Sequence, residues 1–298
     1  MTTSNQTVIG FIGAGVMGKS MAKHLIDAGY DVHLFTRTKE KAKDVIEHGA
    51  VWEDTVADVA QKANVIMSIV GYPSDVEEIY FGENGIMENA KPGSYIIDMT
   101  TSDPQLAEQI DQKAREKQLH SLDAPVSGGD IGAKNGALTI MVGGKQADFD
   151  YVLPIFEVIG TNIVRQGEAG AGQHTKMANQ ITIASNMIGV SEAIMYAKNA
   201  GLDPVRVLKS ISQGAAGSWS LSNLGPRMIK GDLAPGFYIK HFIKDMKIAL
   251  TSAKQMGLQT PGLELSLQLY EELAENGEED RGTQALVKWF EEYSKSTV

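Results

Sequence analysis

The chain contains no cysteine. Disulfides, thiolate metal sites and a cysteine nucleophile are all excluded, and the composition fits a reducing compartment. Long apolar runs are missing as well. No stretch of about 18 apolar residues appears that could cross a membrane, and the polar start Met1-Thr-Thr-Ser-Asn-Gln-Thr7 does not read as a secretory signal. The expected location is cytoplasmic, with no membrane partner. Basic residues are outnumbered, 27 Lys and Arg against 37 Asp and Glu, for a net charge of −10. An acidic total argues against non-specific nucleic-acid binding, although a local basic pocket can exist on an acidic protein. There is no internal repeat, no low-complexity tract and no convincing metal-ligand cluster. What remains is 298 residues, 43% of them hydrophobic, enough for two domains with ordinary cores.

The first half alternates strand and helix patterns. Val8–Ile12 is a short apolar run ending in glycines, and helical periodicity follows over 17–28. Further strands are expected at 31–35, 65–70, 95–99, 120–123, 138–142 and 162–164. Such alternation implies a mostly parallel, doubly wound sheet. After about residue 165 the pattern becomes helical: 173–199 reads as one long helix stopped at Gly201, with more helices at 204–213, 243–256, 261–276 and 285–293. The expected fold is an α/β Rossmann-type N-terminal domain (1–165) followed by an all-α C-terminal domain (166–298), joined by a long interdomain helix. The apolar stretch 181–197 suits a helix buried between domains or subunits.

Gly13-Ala14-Gly15-Val16-Met17-Gly18 matches G-x-G-x-x-G between a strand and a helix, the context in which the pattern signals a dinucleotide. Gly13 allows the tight turn, Gly15 lets the backbone approach a pyrophosphate, and Gly18 lets the helix pack close to the strand. The helix start adds amide donors and a positive dipole end. NAD sites usually carry an acid at the tip of the second strand, about 20 residues further on. Here the tip is Phe35-Thr36-Arg37-Thr38. Arg37 can pair a 2′-phosphate and Thr38 can add a hydroxyl, which favours NADP while leaving NAD possible.

Two later segments carry chemistry. Asp123-Ala-Pro-Val-Ser127-Gly128-Gly129 follows a strand, and a Ser beside two glycines leaves amides available to an anion. Lys176, Asn179 and Gln180 fall at i, i+3 and i+4, on one face of a helix. That helix begins just after Gly170-Ala-Gly172, so its positive end and partial burial would both depress the ammonium pKa of Lys176. A depressed Lys is a workable general acid–base near neutral pH. Read unaided, Lys244-Asp245 is a pair of surface charges, and Trp219 is core or interface.

Residues 11–25, Phe-Ile-Gly-Ala-Gly-Val-Met-Gly-Lys-Ser-Met-Ala-Lys-His-Leu, resemble the N-terminal signature of the β-hydroxyacid dehydrogenases. These include 3-hydroxyisobutyrate dehydrogenase, tartronate semialdehyde reductase and glyoxylate/succinic semialdehyde reductase, and are related to 6-phosphogluconate dehydrogenase. The 123–129 loop, the 176–180 helix and Phe237…Lys244-Asp245 match in family order, so the resemblance spans nearly the whole chain. It implies that Lys176 is catalytic and that Ser127, Gly128 and Gly129 bind a small carboxylate substrate. Asn179 and Gln180 fall where the family has two polar residues facing the substrate. Many members have Asn at the second position, so the longer Gln180 is a departure that could shift substrate geometry. Thr101 matches a cofactor-contacting Thr, Val70-Gly71-Tyr72 the loop passing the adenosine side, and Lys244 a residue at the cofactor–substrate junction with Asp245 beside it. Trp219, Phe237 and Met141 are candidates for shaping the pocket.

The resemblance implies interconversion of a small 3-hydroxy acid and its semialdehyde, in a homodimer or homotetramer. Where 6-phosphogluconate enzymes carry a second acid, a Glu seven residues past the Lys, this chain has Ile183, and their phosphate-binding arginines have no clear counterpart. Decarboxylation of 6-phosphogluconate is therefore disfavoured. Two alternatives share the fold. Imine reductases often replace the Lys with Asp or Tyr, and a non-catalytic nucleotide-binding module would be expected to lose it.

Overall fold

The structure, a computed structural model, describes residues 7–293. They form two compact units that divide between Lys176 and Met177. The sequence had set its boundary at 165/166.

The first unit is built on one sheet: β1 (Val8–Ile12), β2 (Asp31–Phe35), β3 (Val51–Trp52), β4 (Val65–Ser68), β5 (Tyr95–Asp98), β6 (His120–Asp123), β7 (Val126–Ser127), β8 (Leu138–Gly144) and β9 (Gly160–Gly167). β3, β2, β1, β4, β5 and β6 pair in that order, all parallel. β8 runs antiparallel to β6 and β7, and parallel to β9. β3 and β7 escaped the sequence reading because two residues cannot show an alternation.

Side chains on successive strand residues point to opposite faces, and both faces here are apolar. Ile9, Phe11, Val65, Met67 and Ile97 enter one core; Ile12, Ile66 and Ile96 enter the other. That is why these strands read as continuous apolar runs rather than alternating ones. The chain reverses direction across the sheet between β1 and β4. The carboxyl ends of strands at such a switch point are the usual ligand position in open α/β sheets.

The second unit is helical. The long helix Ala171–Asn199 runs into it, followed by Pro204–Ile211, Gly225–Lys230, Ile239–Gln255 and Pro261–Glu275. Its core gathers Met187, Phe242, Met246, Tyr270 and Leu273. Helix Ile239–Gln255 starts earlier than expected, because Ile239, Phe242 and Met246 form one buried stripe that the intervening Lys240 and His241 disguise in the sequence. Among the described residues no strand follows β9, and no helix is long and apolar enough to cross a membrane.

β5 and β6 each end in a buried carboxylate, Asp98 and Asp123, opposite one another in register. Burial pushes the Asp98 carboxyl up from 3.8 to about 6, with neighbouring Asp123 adding to the rise, against hydrogen bonds from Thr100 and Ser68. An acid whose pKa is raised in the fold binds its proton more tightly there than in the unfolded chain. Its stabilising contribution is complete below about pH 4 and is lost as pH climbs toward 6. Above that, ionised Asp98 costs on the order of 3 kcal/mol. Asp98→Asn is isosteric and keeps an acceptor for Thr100 and Ser68. It should flatten the loss of stability between about pH 4 and 7 and stabilise the protein at neutral pH. Urea unfolding across that range measures this, and equal pH slopes in the two proteins would rule out titration of Asp98.

Candidate active site

The glycine loop follows β1 at the switch point. Gly13 has φ +109° and donates its amide to the Phe35 carbonyl at 2.9 Å. A Cβ on Gly13 would strike the carbonyl of Ile69, and one on Gly18 would strike the carbonyl of Gly13. Both residues are therefore glycine because backbone passes backbone there. Gly15 is different. It is exposed, and a Cβ on it would meet nothing within 4 Å. The loop thus closes tightly on itself while leaving a bare backbone facing open space at the start of helix Val16–Asp27, whose first-turn amides have no acceptor within the helix. These residues fit the pyrophosphate of a dinucleotide. Ala14 is buried, Met17 packs on the core below, and Val16 is exposed.

At the tip of β2, Thr36 is half-buried and Arg37 and Thr38 are exposed. Arg37 Nη1 donates to Asp75 Oδ1 at 2.9 Å, and Asp75 Oδ2 accepts the Tyr72 amide at 3.0 Å. One carboxylate therefore joins Arg37 to the Val70-Gly71-Tyr72 loop that follows β4. Only part of the five-donor guanidinium fork is engaged by this bond.

The turn after β5 is held from both sides. The Thr100 hydroxyl accepts the Val70 amide at 3.0 Å, and the Ser102 amide donates to Gln173 Oε1 at 2.9 Å. Thr100 and Ser102 are buried, and Thr101 between them is half-buried.

Ser127 ends β7 and is half-buried. Gly128 and Gly129 follow with φ of +129° and +61°, conformations that carry little strain only for glycine, and open the short helix Gly129–Lys134. Beside this loop lies Lys176, only 6% exposed, whose Nζ donates to the Val126 carbonyl at 2.9 Å. The sequence placed Lys176 on a helix and the Ser-Gly-Gly loop after a strand, and within the first unit the fold brings the two together. Met141, in β8, is buried.

In the second unit, Gln180 is buried and its amide is engaged at both ends. Oε1 accepts from Asn179 Nδ2 at 2.8 Å, and Nε2 donates to Asp245 Oδ2 at 2.6 Å. Lys244 Nζ lies 2.8 Å from Asp245 Oδ1, an ion pair without hydrogen-bond geometry. The unaided reading of Lys244-Asp245 as surface charges is corrected by the structure: Asp245 is 1% exposed and its charge is met by a neighbouring ammonium and an amide. Phe237 is half-buried and packs on Phe242 at 5.7 Å between ring centroids. Trp219 is 62% exposed, outside any core.

Three groups were missed in the sequence. Asp123 binds the start of the Lys176 helix, Gln173 binds the turn after β5, and Asp75 binds Arg37. Only Asp123 carried a signal, as the first residue of the Ser-Gly-Gly segment.

The chain is similar over nearly its whole length to known oxidoreductases. Residues 8–167 match the NAD binding domain of 6-phosphogluconate dehydrogenase, and residues 170–290 match the family described as NAD-binding of NADP-dependent 3-hydroxyisobutyrate dehydrogenase. An uncharacterised oxidoreductase of Bacillus subtilis is 62% identical, with 94% of this chain and 97% of that one aligned. The 2-hydroxy-3-oxopropionate reductase of Escherichia coli is 41% identical over 95% of this chain and 97% of its own. The structure of Mycobacterium tuberculosis 3-hydroxyisobutyrate dehydrogenase with L-serine superposes with a TM-score of 0.88 at 26% identity, covering 95% of this chain and 99% of that one. The chain is an oxidoreductase of the β-hydroxyacid dehydrogenase family, the group that includes 3-hydroxyisobutyrate dehydrogenase and 2-hydroxy-3-oxopropionate reductase.

Proposed function

We propose that the protein interconverts a small 3-hydroxy acid and its semialdehyde using NADP, with Lys176 as general acid–base. The observation that carries this reading is the 2.9 Å bond from Lys176 Nζ to the carbonyl of Val126, the residue before Ser127-Gly128-Gly129. It sets a buried ammonium beside the loop that suits a carboxylate.

In the reducing direction, Ser127 and the amides of Gly128 and Gly129 hold the substrate carboxylate. The glycine loop Gly13–Gly18 would hold a reduced nicotinamide dinucleotide, which would supply hydride for the aldehyde carbon. The aldehyde oxygen, gaining negative charge, takes a proton from the Lys176 ammonium, and solvent restores that proton. In the oxidising direction, neutral Lys176 takes the hydroxyl proton. Preorganised donors at a developing alkoxide are worth several kcal/mol in typical enzymes. Asn179 is the member of the amide pair assigned to the substrate. Gln180 is assigned a positioning role, since both ends of its amide are already bound within the protein. Thr101 and Lys244 are assigned to the nicotinamide side, and Phe237 and Trp219 to the substrate side. 2-Hydroxy-3-oxopropionate and the semialdehyde of 3-hydroxyisobutyrate are the substrates that the relatives' names suggest.

Lys176→Met should lower kcat by about 10²–10⁴-fold while NADPH still binds, as read by steady-state kinetics and fluorescence titration. Near-normal turnover would end the assignment. Arg37→Ser should raise KM for NADPH by about 10–100-fold, the loss of one charged hydrogen bond, with little change for NADH. An unaltered NADPH/NADH ratio would remove Arg37 from cofactor selection. Gln180→Asn is one carbon shorter and should lose its bond to buried Asp245, destabilising the protein by about 1–3 kcal/mol. The urea midpoint reads that change, and an unchanged midpoint would mean that Asp245 does not depend on Gln180.

A further inference from the structure

Two buried polar side chains of the first unit have no part in the mechanism above. Asp123, 4% exposed, accepts the Gly170 amide on one oxygen and the Gln173 amide on the other, each at 2.8 Å. Gln173 has no exposure at all. Its Oε1 accepts the Ser102 amide at 2.9 Å and its Nε2 donates to the Thr100 carbonyl at 2.7 Å. An amide N–H can only donate and a carbonyl can only accept, so these two partners fix the orientation of the Gln173 amide.

The segments joined in this way are not arbitrary. One is the turn after β5 that carries Thr101. The other is the first turn of the helix that carries Lys176, three residues beyond Gln173. Between them Gly172 leaves no space: a Cβ there would strike the Met141 carbonyl and lie 2.6 Å from the Asp123 carbonyl. The helix start is therefore pressed against the end of β6 and the middle of β8. An ordinary helix cap binds the amides of its own helix from an adjacent residue. Here the carboxylate comes from 47 and 50 residues away, and the Gln173 side chain reaches across 71 and 73 residues to a different segment.

We infer that Asp123 and Gln173 are positioning residues which hold the proton donor Lys176 and the cofactor-side turn at Thr101 in one fixed relation. Asp123 sets the helix start, and Gln173 ties that start to the turn. The inference rests on Lys176 being the general acid–base. It explains why two polar groups are committed to burial at this end of the sheet, and it predicts a division of labour between them.

Asp123→Asn keeps volume but leaves one acceptor oxygen for two amides, and Gln173→Met keeps volume and removes both side-chain bonds. The Asp123 carboxylate accepts its hydrogen bonds from the helix start, so Asp123→Asn should lower kcat, by up to about 10²-fold for a displaced catalytic group, with the NADPH dissociation constant from fluorescence titration unchanged. Gln173 touches both segments, so Gln173→Met should lower kcat and also weaken NADPH binding. A purely structural role would lower the melting temperature and the active fraction without this split. If both folded variants keep kcat and NADPH affinity within about twofold of the parent, the inference is wrong. Lys176→Met is measured alongside. Normal turnover in that variant removes the underlying reading, whereas an inactive Lys176→Met beside fully active Asp123 and Gln173 variants removes only this inference. Should neither variant fold, hydrogen exchange of the unaltered protein decides: NADPH should slow exchange in a peptide covering residues 168–176, and an unchanged rate would overturn the coupling.

Discussion

Asp123 places a carboxyl group where almost no solvent reaches, and the start of the Lys176 helix is built on it. The first amides of any helix lack an acceptor within the helix. Here two of them, from Gly170 and Gln173, find one on Asp123. Burial raises the Asp123 pKa, and the backbone bonds from Gln173 and Gly170 work in the opposite direction. The group is tolerable in that place because the helix start lies against it. Gly172 then has to be glycine, Gln173 has to point back toward the turn after β5, and Lys176 emerges one turn later with its Nζ at the Val126 carbonyl. Remove the carboxylate and each of these contacts loses its reference point.

The cost of this arrangement is visible one strand away. Asp98 faces Asp123 in register at the end of β5, and its pKa is raised by burial and by that neighbour. Two buried acids at the ends of adjacent parallel strands make a poor choice for stability, because a buried unpaired charge costs free energy that apolar packing would not. They sit at the carboxyl ends of the strands, where α/β sheets place their ligands. Local conflicts with stability rules concentrate at functional sites, and this pair follows that pattern.

How much of this could be read in advance depends on sequence distance. β1 and β2 were legible to the residue, because a short apolar run ending in glycine and an alternating strand after a helix stop at Gly29 are local signals. Gly13 and Gly18 were legible together with their separate reasons, since their spacing encodes one turn. Lys176 and the Ser127 loop were each legible, but their meeting was not, because it depends on how β7 and the long helix pack. Asp123, Gln173 and Asp75 act on partners between 38 and 73 residues away, and nothing near them in the chain announces those partners. Lys244-Asp245 misled for the same reason: charge is a local property, whereas burial is a property of the fold. β3 and β7 are held by their neighbours in the sheet rather than by any pattern of their own.

Gln180 shows how a single departure from a family pattern can be absorbed. A carboxylate accepts hydrogen bonds and cannot donate them unless protonated, so Asp245 requires the nitrogen end of the Gln180 amide. The oxygen end must then face Asn179 and is satisfied by Asn179 Nδ2. Polarity is thereby passed from a buried acid through two amides, and no orientation along the chain is left to choice. An asparagine at position 180 would be one carbon shorter and could not span the same two partners from the same backbone. The extra methylene thus does not push the amide further toward a substrate. It turns the amide inward, onto Asp245, and leaves Asn179 half-buried with its carbonyl oxygen outside this chain of bonds.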